Sequence, residues 1–228
     1  MADSLLKRVR IWDLPTRLFH WALVLGVAGA IVSAKIGGNA MVWHMRLGYT
    51  VLALVGFRLL WGVVGGRWSR FSSFFYSPAS LWRYLRKAPL PTDHFDAGHN
   101  PLGAFSVLAM LAWLLAQIAS GLIADDEIAT TGPLVRFVSN EFSLSWTAYH
   151  TSYGQWGVLA LVGMHIASIA YYRWGQSHDL IGPMISGYKT LSARVPATRD
   201  TLSTRLFALT LFVACAAAVY LLVDLGQS

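Results

Sequence analysis

Four histidines, His20, His44, His150 and His165, lie inside long apolar stretches of the sequence. Ionisable side chains are rare in such stretches and usually face the interior of a helical bundle, where they mark a functional site. His150 and His165 share one stretch, and their spacing of fifteen residues gives a rotational offset of about 60° and an axial separation of about 22 Å on an α-helix. Both imidazoles therefore face broadly the same side of one helix, near its two ends.

The other two histidines lie in two further apolar stretches. If all these stretches are helices that cross a membrane, the depths of these two histidines in the membrane match those of His150 and His165. These depths pair His20 with His165 and His44 with His150. Two imidazoles from different helices can bind the opposite faces of a haem iron. Zinc normally takes three or four protein ligands, and a proton relay would require carboxylates at mid-depth, which these stretches lack. The pattern predicts two bis-histidine haem b sites; the alternative is four hydrogen-bonded interfacial histidines.

Three arginines are candidates for pairing with haem propionates. Arg58 lies fourteen residues after His44, on nearly the same helix face and deep in an apolar stretch. A guanidinium buried there requires an anion, and we predict that a propionate supplies it by bidentate pairing. Arg17, near His20 and His165 (the inner pair), and Arg46, near His44 and His150 (the outer pair), are weaker candidates. For both, the alternative is a side chain that extends to lipid phosphate.

Two glycines share a helix face with the outer histidines. Gly48 follows His44 by four residues, and Gly154 follows His150 by four, so each lies beneath its histidine on the same face. A glycine leaves room there for a flat macrocycle, although membrane helices also use glycine for close packing. Bis-histidine ligation leaves no open iron position, and we predict no catalytic residue.

The chain as a whole has the composition of an integral membrane protein. Of its 228 residues, 55% are hydrophobic and 13% are charged, whereas soluble domains are about 25% charged. A bilayer core about 30 Å thick needs roughly 20 helical residues. Five stretches reach that length, with predicted bounds of residues 14–34, 43–64, 101–124, 146–172 and 206–225. The fold class that we predict is all-α: a four-helix transmembrane haem-binding bundle followed by a fifth, C-terminal transmembrane helix.

The distribution of lysine and arginine predicts the orientation of these helices. Basic residues concentrate before the first stretch and in the loops that follow the second and the fourth. Because such residues favour the cytoplasmic side, the N-terminus is predicted to be cytoplasmic, and five spans then put the C-terminus in the periplasm. The outer loop carries the acidic run ADDE at residues 124–127. A basic rim beside anionic lipid accounts for the net charge of +7, so no nucleic-acid partner is predicted.

Several motifs resemble those of the bacterial cytochrome b-561 family, which includes the b-type cytochrome subunits of nickel–iron hydrogenases. They are RIWDLPTRLFHW with His20, WHMRLGYTVLALVGFRLLWG with His44 and Arg58, and YHTSYGQWGVLALVGMHIASIAYYR with His150 and His165. The apolar stretch that begins GHNPLGAF and the segment LIGPMISGYK are also similar. The resemblance covers about residues 8–190 and implies haem ligands on the first, second and fourth spans, where all four histidines match.

The resemblance also implies a function in the bacterial inner membrane. Family members pass electrons between the quinone pool and a periplasmic c-type cytochrome or a redox enzyme subunit. Others oxidise superoxide with quinone, and this self-sufficient activity stays open as an alternative. A haem-free membrane anchor or transporter is the alternative from another class. We divide the chain into a di-haem domain, residues 1–190, and a linker with the C-terminal helix, residues 191–228. Assembly into a homo-oligomer is also compatible with the sequence.

Overall fold

The computed structural model describes residues 6–90, 92–192 and 195–226, and most of them are helical. Its helices and strands, in chain order, are β1 (Leu6–Arg10), α1 (Leu14–Ile36), α2 (Met41–Val64), α3 (Pro78–Leu85), α4 (Pro101–Leu122), α5 (Asn140–Tyr149), α6 (Gln155–Ala170), α7 (Ile181–Ser186), β2 (Tyr188–Ser192) and α8 (Leu202–Leu225). Short 3-10 turns are formed by Gly38–Ala40, Phe71–Ser73 and Val135–Phe137.

Four helical segments in the described residues are long and apolar enough to cross a bilayer. They are Leu14–Ile36, Gly38–Val64, Pro101–Leu122 and Leu202–Leu225, and they correspond to the first, second, third and fifth predicted spans. In α8 only 6% of the most apolar window is buried within the protein. A soluble protein rarely leaves apolar surface of that extent uncovered, so the fold is that of an all-α integral membrane protein.

The fourth predicted span is helical, but it is not one regular α-helix. Helices α5 and α6 are joined by a π-helical turn, His150–Gly154, and α6 continues into a second π turn, Tyr171–Gly175. The helical path thus runs without a break from residue 140 to residue 175, longer than the predicted 146–172. A π turn accommodates one extra residue in an α-helix and often occurs at functional sites. Here the first turn begins at His150.

Local sequence explains where several of these helices begin and end. Helix α4 starts at Pro101, whose missing N–H costs nothing in a first turn. The side chain of Asn100 caps this end by accepting a hydrogen bond from the N–H of Gly103 at 2.7 Å. Helix α2 ends at Val64, directly before the pair Gly65-Gly66, and glycine is common just past the end of a helix.

The chain divides into two compact units. The first unit comprises Met1–Phe19, Arg58–Leu108 and His165–Leu209. It contains the one sheet of the described residues, in which β1 pairs antiparallel with β2 from Leu6 opposite Ser192 to Arg10 opposite Tyr188. This small sheet was not predicted, because its strands are short and lie almost the whole chain apart. Its inner side joins a core of Val9, Ile11, Trp12 and Ala97.

The second unit comprises His20–Phe57, Ala109–Met164 and Thr210–Ser228. Glycines allow its helices to approach closely. A Cβ at Gly29 would lie 2.9 Å from the Leu47 side chain, and one at Gly56 would lie 3.7 Å from the Cys215 sulfur. The rings of Phe57 and Phe212 contact edge to face at 6.2 Å. Helix α8 therefore packs on α2 of the same chain. The division into residues 1–190 and 191–228 stays a prediction.

Candidate functional site

The outer pair of histidines meets in the second unit. His44 lies on α2 and His150 opens the π turn after α5. The centroids of their imidazole rings are 6.0 Å apart, and the ring planes are nearly perpendicular at 84°. The sequence-predicted outer pair is thus brought together by the fold.

Hydrogen bonds fix which nitrogen of each ring is available to a ligand. His44 Nδ1 lies 2.9 Å from the carbonyl oxygen of Ala30. His150 Nδ1 lies 2.9 Å from both the carbonyl oxygen of Gln117 and the hydroxyl of Ser120. A carbonyl can only accept, so each Nδ1 carries a proton, and in the neutral imidazole Nε2 is then the nitrogen with a free lone pair. Partners of this kind orient metal-binding histidines and raise their basicity.

The separation of the two rings fits ligation of one metal ion from opposite sides. A metal–imidazole nitrogen bond is about 2.0 Å, and the ring centroid lies about 1.1 Å beyond the nitrogen, which gives about 6 Å between opposed centroids. The observed 6.0 Å agrees. At Gly48 an added Cβ would meet no atom within 4 Å, so space is open beside the pair. These residues therefore fit a bis-histidine haem.

Two other glycines make room within the protein itself. A Cβ at Gly121 on α4 would lie 2.8 Å from His150 Cε1, and a Cβ at Gly154 would clash with the side-chain oxygen of Gln117. Gly154 therefore allows close packing between helices, which was the alternative to room for a macrocycle. The amide of Gln117 also donates to the His150 carbonyl at 3.0 Å, and that carbonyl belongs to the π turn.

Sequence reasoning missed the contribution of α4, which it treated as a span without a site residue. Gln117 and Ser120 are three residues apart and share a face of α4, and both bond to His150. Two polar side chains on one face of an apolar helix were the available signal. Within the described residues, no group of three or more His, Cys, Asp and Glu side chains could hold a metal ion.

The two histidines of the inner pair fall in different units. His20, on α1 of the second unit, contacts the ring of Trp21 edge to face at 5.1 Å. His165, on α6 of the first unit, is half-buried. Both lie on the helices that the sequence predicted. Their pairing stays a prediction.

Arg58 is buried, with 3% of its surface exposed, so its guanidinium is enclosed by the protein. Its guanidinium carbon lies 4.7 Å from the ring centre of Phe71 and 5.8 Å from that of Phe74. Nη1 has no hydrogen-bond partner among the described residues. The charge of Asp13, which precedes the first predicted span, acts on it. Arg58 Nη1 is thus a buried donor that could form a hydrogen bond to an anionic group.

Asp13 is the centre of a buried polar cluster in the first unit and is 1% exposed. One carboxylate oxygen accepts from the backbone N–H of Thr16 at 2.8 Å and from the Trp61 indole at 3.3 Å. The other accepts from the N–H of Gly66 at 3.1 Å and from the Ser69 hydroxyl at 3.3 Å. A side chain at Gly66 would clash with the carboxylate. Asp13 thereby caps α1 and joins it to the end of α2.

The other two predicted arginines differ in their surroundings. Nη1 of Arg17 donates to the carbonyl of Ile185 at the end of α7, and the buried Nε has no partner in the described part of the chain. A Cβ at Gly187, where φ is +88°, would lie 3.3 Å from this Nε. Arg46 is exposed and lies over the Trp43 ring at 5.3 Å. Arg17 therefore supports α7, whereas Arg46 stays at the surface.

Comparison with known proteins agrees with the motifs. The sequence model of one family, described as prokaryotic cytochrome b561, matches residues 11–187. No curated protein and no solved structure shows significant similarity to the chain. The matched range contains all four histidines and Arg58, and the family consists of membrane b-type cytochromes that bind haem b in electron transfer. The chain belongs to the prokaryotic cytochrome b561 family.

Proposed function

We propose that this membrane cytochrome binds two haems b and transfers electrons between the quinone pool and a periplasmic electron carrier or partner enzyme. The observation that carries the proposal is the His44–His150 pair. Its rings lie 6.0 Å apart, and each Nδ1 is bonded within the protein. Two imidazoles held in this way could ligate one haem iron, which would supply the redox chemistry. In the bacterial inner membrane, the proposed orientation puts this pair near the periplasm.

Haem b, when bound, supplies an iron centre that accepts and returns one electron. The chain's own residues hold the two imidazoles at a fixed separation and in a fixed tautomer. The Ala30 carbonyl orients His44, and the Gln117 carbonyl with the Ser120 hydroxyl orients His150. Because both axial positions would be filled by protein, a small molecule would have no position at the iron. This favours electron transfer over chemistry at the metal.

The second haem is proposed to lie between His20 and His165, near the cytoplasmic side. Two haems at the two ends of one bundle would conduct electrons across the bilayer, with quinone at one end. Arg58 supports this arrangement, because its buried Nη1 lacks a partner among the described residues. A propionate of the inner haem would satisfy that donor by a charge-assisted hydrogen bond. Arg17, which also has a buried Nε without a described partner, is proposed to lie beside the same haem.

The outer loop favours a protein partner over superoxide. Asp126 accepts hydrogen bonds from the backbone N–H groups of Ile128, Ala129 and Thr130 at 2.8–3.0 Å. These bonds lower the pKa of the Asp126 carboxyl to about 2, so the group stays ionised at every physiological pH. Asp125 and Glu127 flank it. A negative loop repels an anion such as superoxide and attracts a basic protein such as a c-type cytochrome.

The test is to count haems in the purified protein and in single-histidine variants. We expect a reduced-minus-oxidised spectrum of b type and about two haems per chain. His44→Ala should remove the outer haem and leave the inner one. His94→Ala serves as the control, because His94 is a loop residue outside the spans.

Two outcomes would contradict the proposal. A wild-type protein without haem b would favour the anchor or transporter alternative. A haem content that His44→Ala leaves unchanged would remove the His44–His150 pair as a haem site. Reduction of an added basic c-type cytochrome by quinol-fed protein, weakened at high salt, would support the proposed partner. Quinone reduction by superoxide at an equal or higher rate would favour the alternative.

A further inference from the structure

A cavity of about 320 Å³ lies in the first unit beside strand β1. Its volume is at the lower end of the range for small-molecule sites, about 300–1,000 Å³. Three of the lining residues are cations, Lys7, Arg8 and Arg10. The proposed electron transfer does not use this cavity.

The positive charge around the cavity exceeds its nearby negative charge. Arg10 pairs with Asp200 at 3.0 Å, and Arg205 pairs with the same carboxylate at 2.8 Å. Among the described residues, no carboxylate forms an ion pair with Lys7 or Arg8. The Arg8 guanidinium lies 4.4 Å from the centre of the Tyr188 ring, which holds it at the wall. Among the described residues, the cavity therefore carries two positive charges, those of Lys7 and Arg8, that form no ion pair.

The backbone of β1 adds a donor at the same edge. One edge of β1 pairs with β2, and at the other edge the Arg10 carbonyl accepts from the N–H of Thr198 at 2.8 Å. In an antiparallel ladder, alternate residues direct their peptide groups to the same edge. Since the peptide groups of Arg10 face away from β2, those of Arg8 do as well, and the backbone N–H of Arg8 therefore points to the cavity side. Arginine side chains together with backbone N–H groups are typical ligands of phosphate.

The position of the cavity favours a lipid as the source of a phosphate group. β1 ends at Arg10, shortly before α1 begins at Leu14. Thr198, on the opposite wall, precedes α8 at Leu202 by four residues. Both helices are candidate membrane spans, so the cavity lies where these two spans enter the bilayer. Val195 and Ala197 give one wall an apolar surface, which suits the glycerol and first acyl carbons of a lipid.

We propose that this cavity binds the phosphate headgroup of an anionic phospholipid. Lys7 and Arg8 provide the uncompensated positive charge, and Arg10 is the wall residue that is already paired. Basic pockets beside membrane helices bind such headgroups. The proposal requires neither the number of haems nor the identity of the redox partner.

The experiment compares lipid binding to the purified, haem-loaded protein in detergent by native mass spectrometry. The probes are dioleoylphosphatidylglycerol, which is anionic, and dioleoylphosphatidylcholine, which is neutral overall. We expect selective binding of the anionic lipid. The double variant Lys7→Gln/Arg8→Gln should weaken it by about 25-fold, because each cation at a lipid surface contributes about fivefold.

Two further variants separate a specific site from general surface charge. Arg67→Gln/Arg86→Gln removes two exposed arginines of the same unit that do not line the cavity. If the lipid binds in the cavity, this double variant should change the binding of the anionic lipid by less than about twofold. Lys7→Arg/Arg8→Lys keeps both charges and should retain binding. A normal haem spectrum in each variant establishes that it is folded.

Three results would overturn the proposal. Equal binding of the two lipids would remove selectivity for an anion. Equal losses in the two glutamine double variants would assign the effect to overall charge. Competition by glycerol 3-phosphate at concentrations similar to the lipid would identify a soluble phosphate compound, and not a lipid, as the ligand.

Discussion

Replacing Gly121 with alanine should displace His150 from its position opposite His44. The new Cβ would lie 2.8 Å from His150 Cε1, whereas carbon atoms in contact are about 3.5–4.0 Å apart. The ring would therefore move by about 0.7 Å or more. It cannot do so freely, because Nδ1 is held at 2.9 Å by both the Gln117 carbonyl and the Ser120 hydroxyl.

A shift of that size exceeds what a metal–ligand bond tolerates, which is about 0.2 Å. Loss of a partner that orients a ligating histidine typically lowers metal affinity by about 10–100-fold. We expect Gly121→Ala to lower the affinity for the outer haem by about 10–100-fold. Ser120→Ala, which adds no atoms, should lower that affinity less. Haem content is measured by the pyridine haemochrome method, and the ligation state by low-temperature electron paramagnetic resonance.

Gly163→Ala is the matched control for this prediction. Gly163 is an exposed glycine on α6, and an added Cβ would meet nothing within 4 Å. Both replacements exchange a helical glycine for alanine, so a difference in haem content between them reports the contact with His150. Full haem content with unchanged resonance signals in Gly121→Ala would show that His150 does not hold a haem in this geometry.

Four further predictions test the inner side and the orientation. His165→Ala should remove the inner haem and leave the signals of the outer one; loss of neither haem, measured by the same haem assay, would refute the inner pair. Arg58→Leu should lower the midpoint potential of the inner haem by about 70 mV if the cation lies about 10 Å away at an effective dielectric constant of about 20. Asp13→Asn should raise that potential and also lower the free energy of unfolding by about 2–4 kcal/mol, because buried hydrogen bonds to a charged acceptor are lost. The control Asp96→Asn, at an exposed position, should change neither quantity. Midpoint potentials that move in the same direction for the Arg58 and Asp13 variants would contradict the electrostatic reasoning. A reporter fused after Ser228 should be active in the periplasm, and cytoplasmic activity would mean that α8 does not complete a fifth crossing.

The membrane fold could be predicted from the sequence because its main determinant is local. About 20 consecutive apolar residues must hydrogen-bond their own backbone in lipid, and only a helix does this within one segment. The predicted spans accordingly agree with α1, α2, α4 and α8. The identities of the candidate ligands were equally accessible, because ionisable residues stand out in apolar stretches.

The irregular part of the fourth span could not be predicted in the same way. A π turn differs from an α turn by one residue, and apolar periodicity over so short a length does not distinguish them. The turn at His150–Gly154 is accompanied by contacts with α4, including the bond from Gln117 to the His150 carbonyl. Those contacts come from a residue more than thirty positions away.

Residue types in short windows were enough to predict the membrane environment, the family resemblance, the four candidate histidines and the four spans that form regular helices. Tertiary structure decided which groups meet. It joined Asp13 to Gly66 and Ser69, more than fifty residues away, and so gave Arg58 a neighbouring carboxylate that no single span contains. It also set the separation of His44 and His150 and the partners of their Nδ1 atoms. The physical reason is that a hydrogen bond or a ring separation depends on atoms within a few ångströms, and only the packing of distant segments brings those atoms together.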